Sequence, residues 1–148
     1  MHSPRHRYTR WLLAAALAGM PGLALSQAAG TSVWSGVYTQ AQADRGAAAY
    51  GQHCASCHGD ALGGSDSAPA LAGGAFLGNW NGQTAGALFT RIKTTMPLDN
   101  PGSLDAATTA DIEALILARN DFPAGTAVLP ADAGQQARIA ITPGAARP

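Results

Sequence analysis

The sequence is short of charge, of lysine, of aromatic residues and of long apolar runs. Charged residues make up 12% of its 148 positions, and Lys93 is its single lysine. With no basic patch, binding to nucleic acid is not expected. Phe, Trp and Tyr occur three times each, so any core built from protein side chains alone is sparse. The main apolar run, WLLAAALAGM at 11–20, is broken by Pro21-Gly22 and falls short of the roughly 20 apolar residues a membrane span needs. Arg5, His6, Arg7 and Arg10 precede it, and Ala24-Leu25-Ser26 follows it. This is the layout of a secretory signal peptide, expected over 1–26 and cleaved after Ser26, with Ala24 or Ala28 as alternative sites. No cysteine follows the run, which argues against a lipid anchor. The twin arginine of the folded-export route is also missing, so export as an unfolded chain is expected, with no stable membrane anchor after cleavage.

What is left, about 120 residues, is enough for one compact domain. Arg5, Arg7 and Arg10 leave with the signal. Six basic residues then face nine acidic ones, a net charge near −3. Residues 27–38 are small and turn-prone but carry Val33, Trp34, Val37 and Tyr38, and are read as an extension lying on the domain. Thr39 with Gln42 is a capping-box pattern opening an alanine-rich helix over 40–53. GDALGGSDSAPALAGGAF, after His58, reads as a loop. Thr84 caps a second predicted helix, 85–94, with Leu88, Phe89 and Ile92 facing inward. Pro97, Pro101 and Gly102 frame a loop around Met96. Asp105 caps a third helix, 106–120, whose Ile112, Leu115 and Ile116 form an apolar stripe and which Asn120 and Pro123 end. The remainder is rich in Pro, Gly and Ala, with Arg138–Ile141 the one strand-like piece and a loose end expected over the last few residues. Three short helices and two long loops make a weak independent fold. Loops above about 12–15 residues in a compact domain are usually functional or disordered, and a large apolar group at the centre would resolve the problem.

Both cysteines lie in YGQHCASCHGD, residues 50–60, as Cys54-x-x-Cys57-His58. A disulfide between them would close too small a loop to stabilise much. A zinc site needs four converging ligands, and adjacent His53 and Cys54 cannot easily both join a tetrahedron with Cys57 and His58. A redox dithiol expects a βαβ setting, whereas a helix precedes this motif. Covalent haem attachment is the reading that fits: two thiols spaced to add to the two vinyl groups, and an imidazole next to the second thiol to hold the iron. The iron then needs a sixth ligand or an open site. Met1 and Met20 belong to the expected signal, which leaves Met96, in Thr94-Thr95-Met96-Pro97, as the one mature methionine. A core gap-filler is the alternative role for it. His/Met ligation leaves no open position and favours electron transfer over substrate chemistry. His53 is left without a role.

On these residues the chain resembles a class I, monohaem cytochrome c of bacterial export type. The likeness runs from about Gln42 to Asn120 and takes in Gly46 and Tyr50, the C-x-x-C-H motif, Ala68-Pro69-Ala70-Leu71, Met96-Pro97 and the last helix. VWSGVYTQAQADRG and DFPAG are similar to stretches of cytochromes found with periplasmic quinoprotein dehydrogenases. The resemblance implies an all-α cytochrome c fold of three main helices and long loops around one haem c, held covalently by Cys54 and Cys57, with His58 and Met96 on the iron. It implies that Gly46 lets the first and last helices cross closely, with Leu115 where the family often has an aromatic. It gives Pro69 the role of accepting the proximal histidine's Nδ1–H, against a plain turn proline. It puts Leu71 on the haem face, and brings Trp80 and Arg91 to the propionates, against a core tryptophan and a solvated helix face. The expected organisation is an N-terminal extension at 27–39, the cytochrome domain at 40–122 and a partly disordered C-terminal extension at 123–148. The expected function is one-electron transfer in the periplasm, with no catalysis of its own, from a dehydrogenase donor to an oxidase or cytochrome acceptor across a mixed or apolar rim. A fixed haem subunit of a dehydrogenase complex and, further off, a small peroxidase are the alternatives.

Overall fold

The computed structural model describes residues 31–144. The signal peptide expected over 1–26, the start of the N-terminal extension and the last four residues lie outside them. The chain runs through β1 (Thr31–Ser32), a 3-10 turn (Val33–Ser35), α1 (Gln40–His53), α2 (Ala55–His58), α3 (Gly73–Trp80), α4 (Ala85–Thr95), α5 (Ala106–Arg119), α6 (Ala133–Gln136) and β2 (Ile139–Ala140). The class is all-α, and its sheet is a two-stranded parallel pair, Thr31 with Ile139 and Ser32 with Ala140.

Local sequence signals fix where the longer helices begin. Thr39 Oγ1 accepts from the Gln42 amide at 3.2 Å, and Gln42 Oε1 accepts from the Thr39 amide at 3.3 Å, completing the capping box of α1. Thr84 caps α4 through the Ala87 amide. Asp105 caps α5 through the Thr108 amide at 2.7 Å, and bonding to Thr108 holds its carboxyl below the usual range. These three helices form as the sequence predicts.

Three further helices lie outside the three that the sequence predicts. Within α3, GGAFLGNW, the glycines Gly74 and Gly78 each cost about 1 kcal/mol against alanine, while Gly73, at φ +75, takes a backbone that favours glycine. Burial of Phe76 at 0% exposure outweighs that cost. The single turn α2 restarts the chain after Cys54, and the single turn α6 is capped by Asp132 through the Gln135 amide.

Helices α1 and α5 make the central crossing. A Cβ on Gly46 would sit 1.9 Å from the Asp111 carbonyl oxygen, so only glycine permits this approach. Beside it, Arg45 grips Asp111 in a two-pronged pair, Nε–Oδ2 and Nη2–Oδ1 both at 2.7 Å. Leu115 is buried in the core formed with Ile112, Ile116 and Leu117.

The two ends of the described chain are tied to each other and to this crossing. The Trp34 indole N–H donates to the Thr142 carbonyl at 2.9 Å, and the Tyr38 hydroxyl to the Phe122 carbonyl at 2.6 Å. Gln42, besides capping α1, exchanges two hydrogen bonds with the backbone of Leu129, at 2.7 and 3.1 Å. Residues from Phe122 onward thus supply Phe122, Leu129, Ile139 and Ile141 to the same core as α1 and α5. The segment from 123 to 144 packs as part of the domain.

Candidate functional site

The C-x-x-C-H motif sits where α1 gives way to α2. The Cys54 amide still donates to the Tyr50 carbonyl at 2.8 Å, but its backbone, at φ −129 and ψ −35, leaves the helix. One more turn places Cys57 and His58, whose amides donate back to the Cys54 carbonyl at 3.1 and 2.9 Å. Gly59, at φ +76, stops that turn. Both thiols are free; Cys54 is half-buried and Cys57 exposed. Burial, with Cys57 close by, pushes the Cys54 thiol up to about 11.

The turn is held from three directions. The Tyr50 hydroxyl donates to the Gly59 carbonyl at 2.7 Å, and burial, reinforced by Cys54 and Asp60, pushes its pKa up to about 12. The Ser65 hydroxyl donates to the Cys57 carbonyl at 2.7 Å. The Gly64 amide donates to the His58 carbonyl at 2.8 Å. Gly64 itself, at φ +79, tolerates no Cβ, which would lie 2.5 Å from the Ala70 amide nitrogen.

His58 is 7% exposed, and its Nδ1 lies 2.8 Å from the Pro69 carbonyl oxygen. A carbonyl only accepts, so Nδ1 carries the hydrogen and Nε2 of the neutral ring keeps its lone pair. The structure therefore brings His58 and Pro69 together, with an imidazole oriented to coordinate through Nε2.

Met96 ends α4. Its amide donates to the Ile92 carbonyl at 3.0 Å while its own φ and ψ, −119 and 153, turn the chain out of the helix. The loop beyond is closed by Lys93 Nζ on the Gly102 carbonyl at 3.1 Å. Met96 is half-buried and packs on the core, as do Cys54, Ala55, Leu71, Ala72, Leu77, Trp80 and Ala118. Trp80 stacks on Phe76 with ring centroids 6.2 Å apart. Arg91 is exposed on α4, and its side chain makes no hydrogen bond or ion pair among the described residues. His53 is exposed at the end of α1, beside a shallow hollow of about 390 Å³ that Pro97, Leu104 and Thr108 also line. Among the described residues no three of His, Cys, Asp and Glu converge as a metal site, and none of the helices is long and apolar enough to cross a membrane.

A family model described as cytochrome c oxidase, cbb3-type, subunit III matches residues 41–116, just over half of the chain. The chain belongs to this cytochrome c family. As a c-type cytochrome it has the all-α fold of that class, with the C-x-x-C-H turn and the start of the α1–α5 crossing both inside the matched span, and the class implies haem c as its cofactor and electron transfer as its role. Among solved structures, the cytochrome is similar to a chain of the sulfane dehydrogenase SoxCD from Paracoccus pantotrophus. Identity is 24%, the TM-score is 0.44, and the match covers 71% of this chain and 60% of that one. No curated protein matches it.

Two members of the site have no motif to mark them. Tyr50 reads as an interior residue of an alanine-rich helix, and Asn120 as a helix terminator. In the cytochrome Tyr50 clamps the turn after His58. The Asn120 side-chain amide reaches Leu71 and Gly73. The Tyr50 contact spans nine residues and matches no helical or strand period, while the Asn120 contacts span 47 and 49, so spacing alone could not have signalled them.

Proposed function

We propose that the chain is an exported, periplasmic one-electron carrier in which Cys54 and Cys57 would hold a single haem c and His58 and Met96 would ligate its iron. The observation that carries this is the His58 turn: a buried imidazole, its Nδ1–H bound to Pro69, on the same turn as two unpaired thiols. The residues present fit the group. Two thiols at C-x-x-C spacing suit two thioether links, Nε2 of His58 is free to coordinate, and Met96 is the one methionine among the described residues. The half-buried Leu71, Leu77 and Trp80 offer an apolar lining. When bound, the haem supplies an iron that takes up and releases one electron.

The chain's own part is to anchor, orient and shield. Cys54 and Cys57 fix the site to the end of α1, and Pro69 holds the imidazole in the tautomer that coordinates and raises its basicity. A thioether opposite an imidazole raises the potential relative to two imidazoles and leaves no position open for substrate. In this reading 1–26 is a cleaved signal, 40–122 holds the cytochrome unit, and Trp80 and Arg91 lie towards the propionates. A periplasmic dehydrogenase would be the donor, and a respiratory oxidase or second cytochrome the acceptor.

Visible absorption of the purified protein, oxidised and reduced, tests the reading. One covalently held haem per chain and a sulfur-to-iron charge-transfer band in the ferric form are expected. Absence of that band, together with ready binding of cyanide or carbon monoxide, would remove Met96 from the iron and favour a peroxidase. Co-purification with a large subunit at moderate salt would favour a fixed dehydrogenase subunit over a free shuttle.

A further inference from the structure

We infer that Asn120 is a positioning residue for the axial histidine, acting through the segment that carries the Pro69 carbonyl; the inference rests on His58 being that ligand. Residues 69–72 have no regular structure of their own, yet their exact placement sets how well Pro69 meets His58. On one side the segment is held by the Leu71 amide, which donates to the Leu62 carbonyl at 2.8 Å. On the other side its backbone hydrogen bonds go to Asn120. Asn120 Nδ2 donates to the Leu71 carbonyl at 3.0 Å, and Asn120 Oδ1 accepts from the Gly73 amide at 2.9 Å.

The amide can point only one way. Its second Nδ2 hydrogen goes to the Ile116 carbonyl at 2.8 Å. Leu71 and Ile116 offer carbonyls that only accept, and Gly73 offers an N–H that only donates, so a flipped amide would lose all three bonds. Asn120 is 8% exposed, and in such a site an unmade hydrogen bond is costly. A helix terminator would need none of this reach, because the backbone of Asn120 already closes α5 by donating to the Leu117 carbonyl at 3.1 Å. Two of its three side-chain bonds instead span 47 and 49 residues.

These contacts close a circuit. Helix α1 carries Cys54 and leads into His58, α5 is locked to α1 at Gly46, Asn120 extends α5 to the 71–73 backbone, and Pro69 returns to His58. Asn120 therefore fixes the Pro69 carbonyl relative to the imidazole through a path independent of the loop 59–68. A firm Nδ1–H···O bond makes the imidazole a better donor to the iron and favours the ferric state. Loosening it raises the reduction potential.

The test compares haem-loaded wild type with Asn120→Leu, which keeps the branching at Cγ and removes all three bonds, and with Leu129→Ala, a core change in the tail that lowers stability without touching this circuit. Reduction potentials are measured, together with solvent exchange of the His58 Nδ1 proton and the Gly73 amide in the ferrous protein. Asn120→Leu should raise the potential and speed both exchanges about fivefold or more, while Leu129→Ala leaves the potential in place. An unchanged potential and unchanged His58 exchange in Asn120→Leu would overturn the inference and leave Asn120 a helix cap. Failure of the underlying reading looks different: wild type itself would then lack a His58-ligated haem. If Asn120→Leu does not accumulate, Asn120→Ala is read in its place. It also removes all three bonds and adds no charge, and the same shift is expected of it, with no shift counting against the inference.

Discussion

Glu113 offers the sharpest test of how the tail is joined to the core. It lies on α5 at 0% exposure, and neither carboxyl oxygen has a hydrogen-bond partner. Its side chain meets Gln136 of α6, also at 0% exposure. Gln136 Nε2 is committed to the Pro130 carbonyl at 2.6 Å, and Gln136 Oε1 has no partner. A carboxylate in this place would be buried without a firm hydrogen-bond donor, a cost the neutral acid largely avoids. Burial accordingly pushes the Glu113 pKa well above its ordinary value, with Gln136 pulling weakly the other way and no cation contributing. Because the folded-state pKa is raised, the folded chain keeps a proton that the unfolded chain releases near pH 4.5. The stabilisation is fully present below that pH and is lost as pH rises towards the folded-state value, at up to about 1.4 kcal/mol per pH unit. The perturbation is Glu113→Gln, a neutral isostere that cannot ionise. Guanidinium unfolding of the haem-loaded protein at pH 5, 6 and 7 should show the variant gaining on wild type, by up to about 2.7 kcal/mol over two units. Curves that stay parallel from pH 5 to 7 would refute the reasoning, since Glu113 would then titrate alike in both states.

Other substitutions address the site and the crossing directly. Cys54→Ala or Cys57→Ala should each impair covalent haem attachment and leave a poorly folded chain; normal yields of folded, haem-staining protein from both would contradict their assignment. Met96→Ala should keep the covalent haem, lose the ferric charge-transfer band and lower the potential in a redox titration, and an unchanged potential would return Met96 to the core. Gly46→Ala puts a methyl where the Asp111 carbonyl stands, so α1 and α5 must part. A loss of about 1–3 kcal/mol or more is expected in denaturant unfolding, and a loss under half a kcal/mol would show the crossing to be softer than its geometry implies.

How much of this was legible in the sequence depends on how far each interaction reaches. Thr39 with Gln42, Thr84 and Asp105 are caps acting within three residues, so α1, α4 and α5 could be bounded from the sequence. The C-x-x-C-H turn is likewise local. The start of helix α3 reads as loop in the sequence because its glycines weigh against a helix, and the burial of Phe76 that reverses the balance depends on packing from elsewhere. Gln42 shows the boundary within one side chain. Its contact with Thr39 is a motif, while its two bonds to Leu129 span 87 residues and leave no trace in spacing. Asn120 and Glu113 belong to the same class, as polar groups whose partners are set by the fold.

The sparse core that the composition implies is met in two different ways. On one side the tail closes the structure with its own side chains: Phe122, Leu129, Ile139 and Ile141 are all at 7% exposure or less. On the other, Cys54, Leu71, Leu77, Trp80 and Met96 pack on the core yet remain partly open. Burial contributes roughly 25 cal/mol per Å² of apolar surface, so these open positions have stabilisation still to gain from an apolar cover, and the tail residues have little. The need for a large apolar group, which the composition alone spreads over the whole domain, thus falls on these partly open positions, Cys54 among them. Cys54 follows the end of α1 and Met96 the end of α4, and Asn120, at the end of α5, ties the Leu71–Gly73 backbone to the helix that crosses α1.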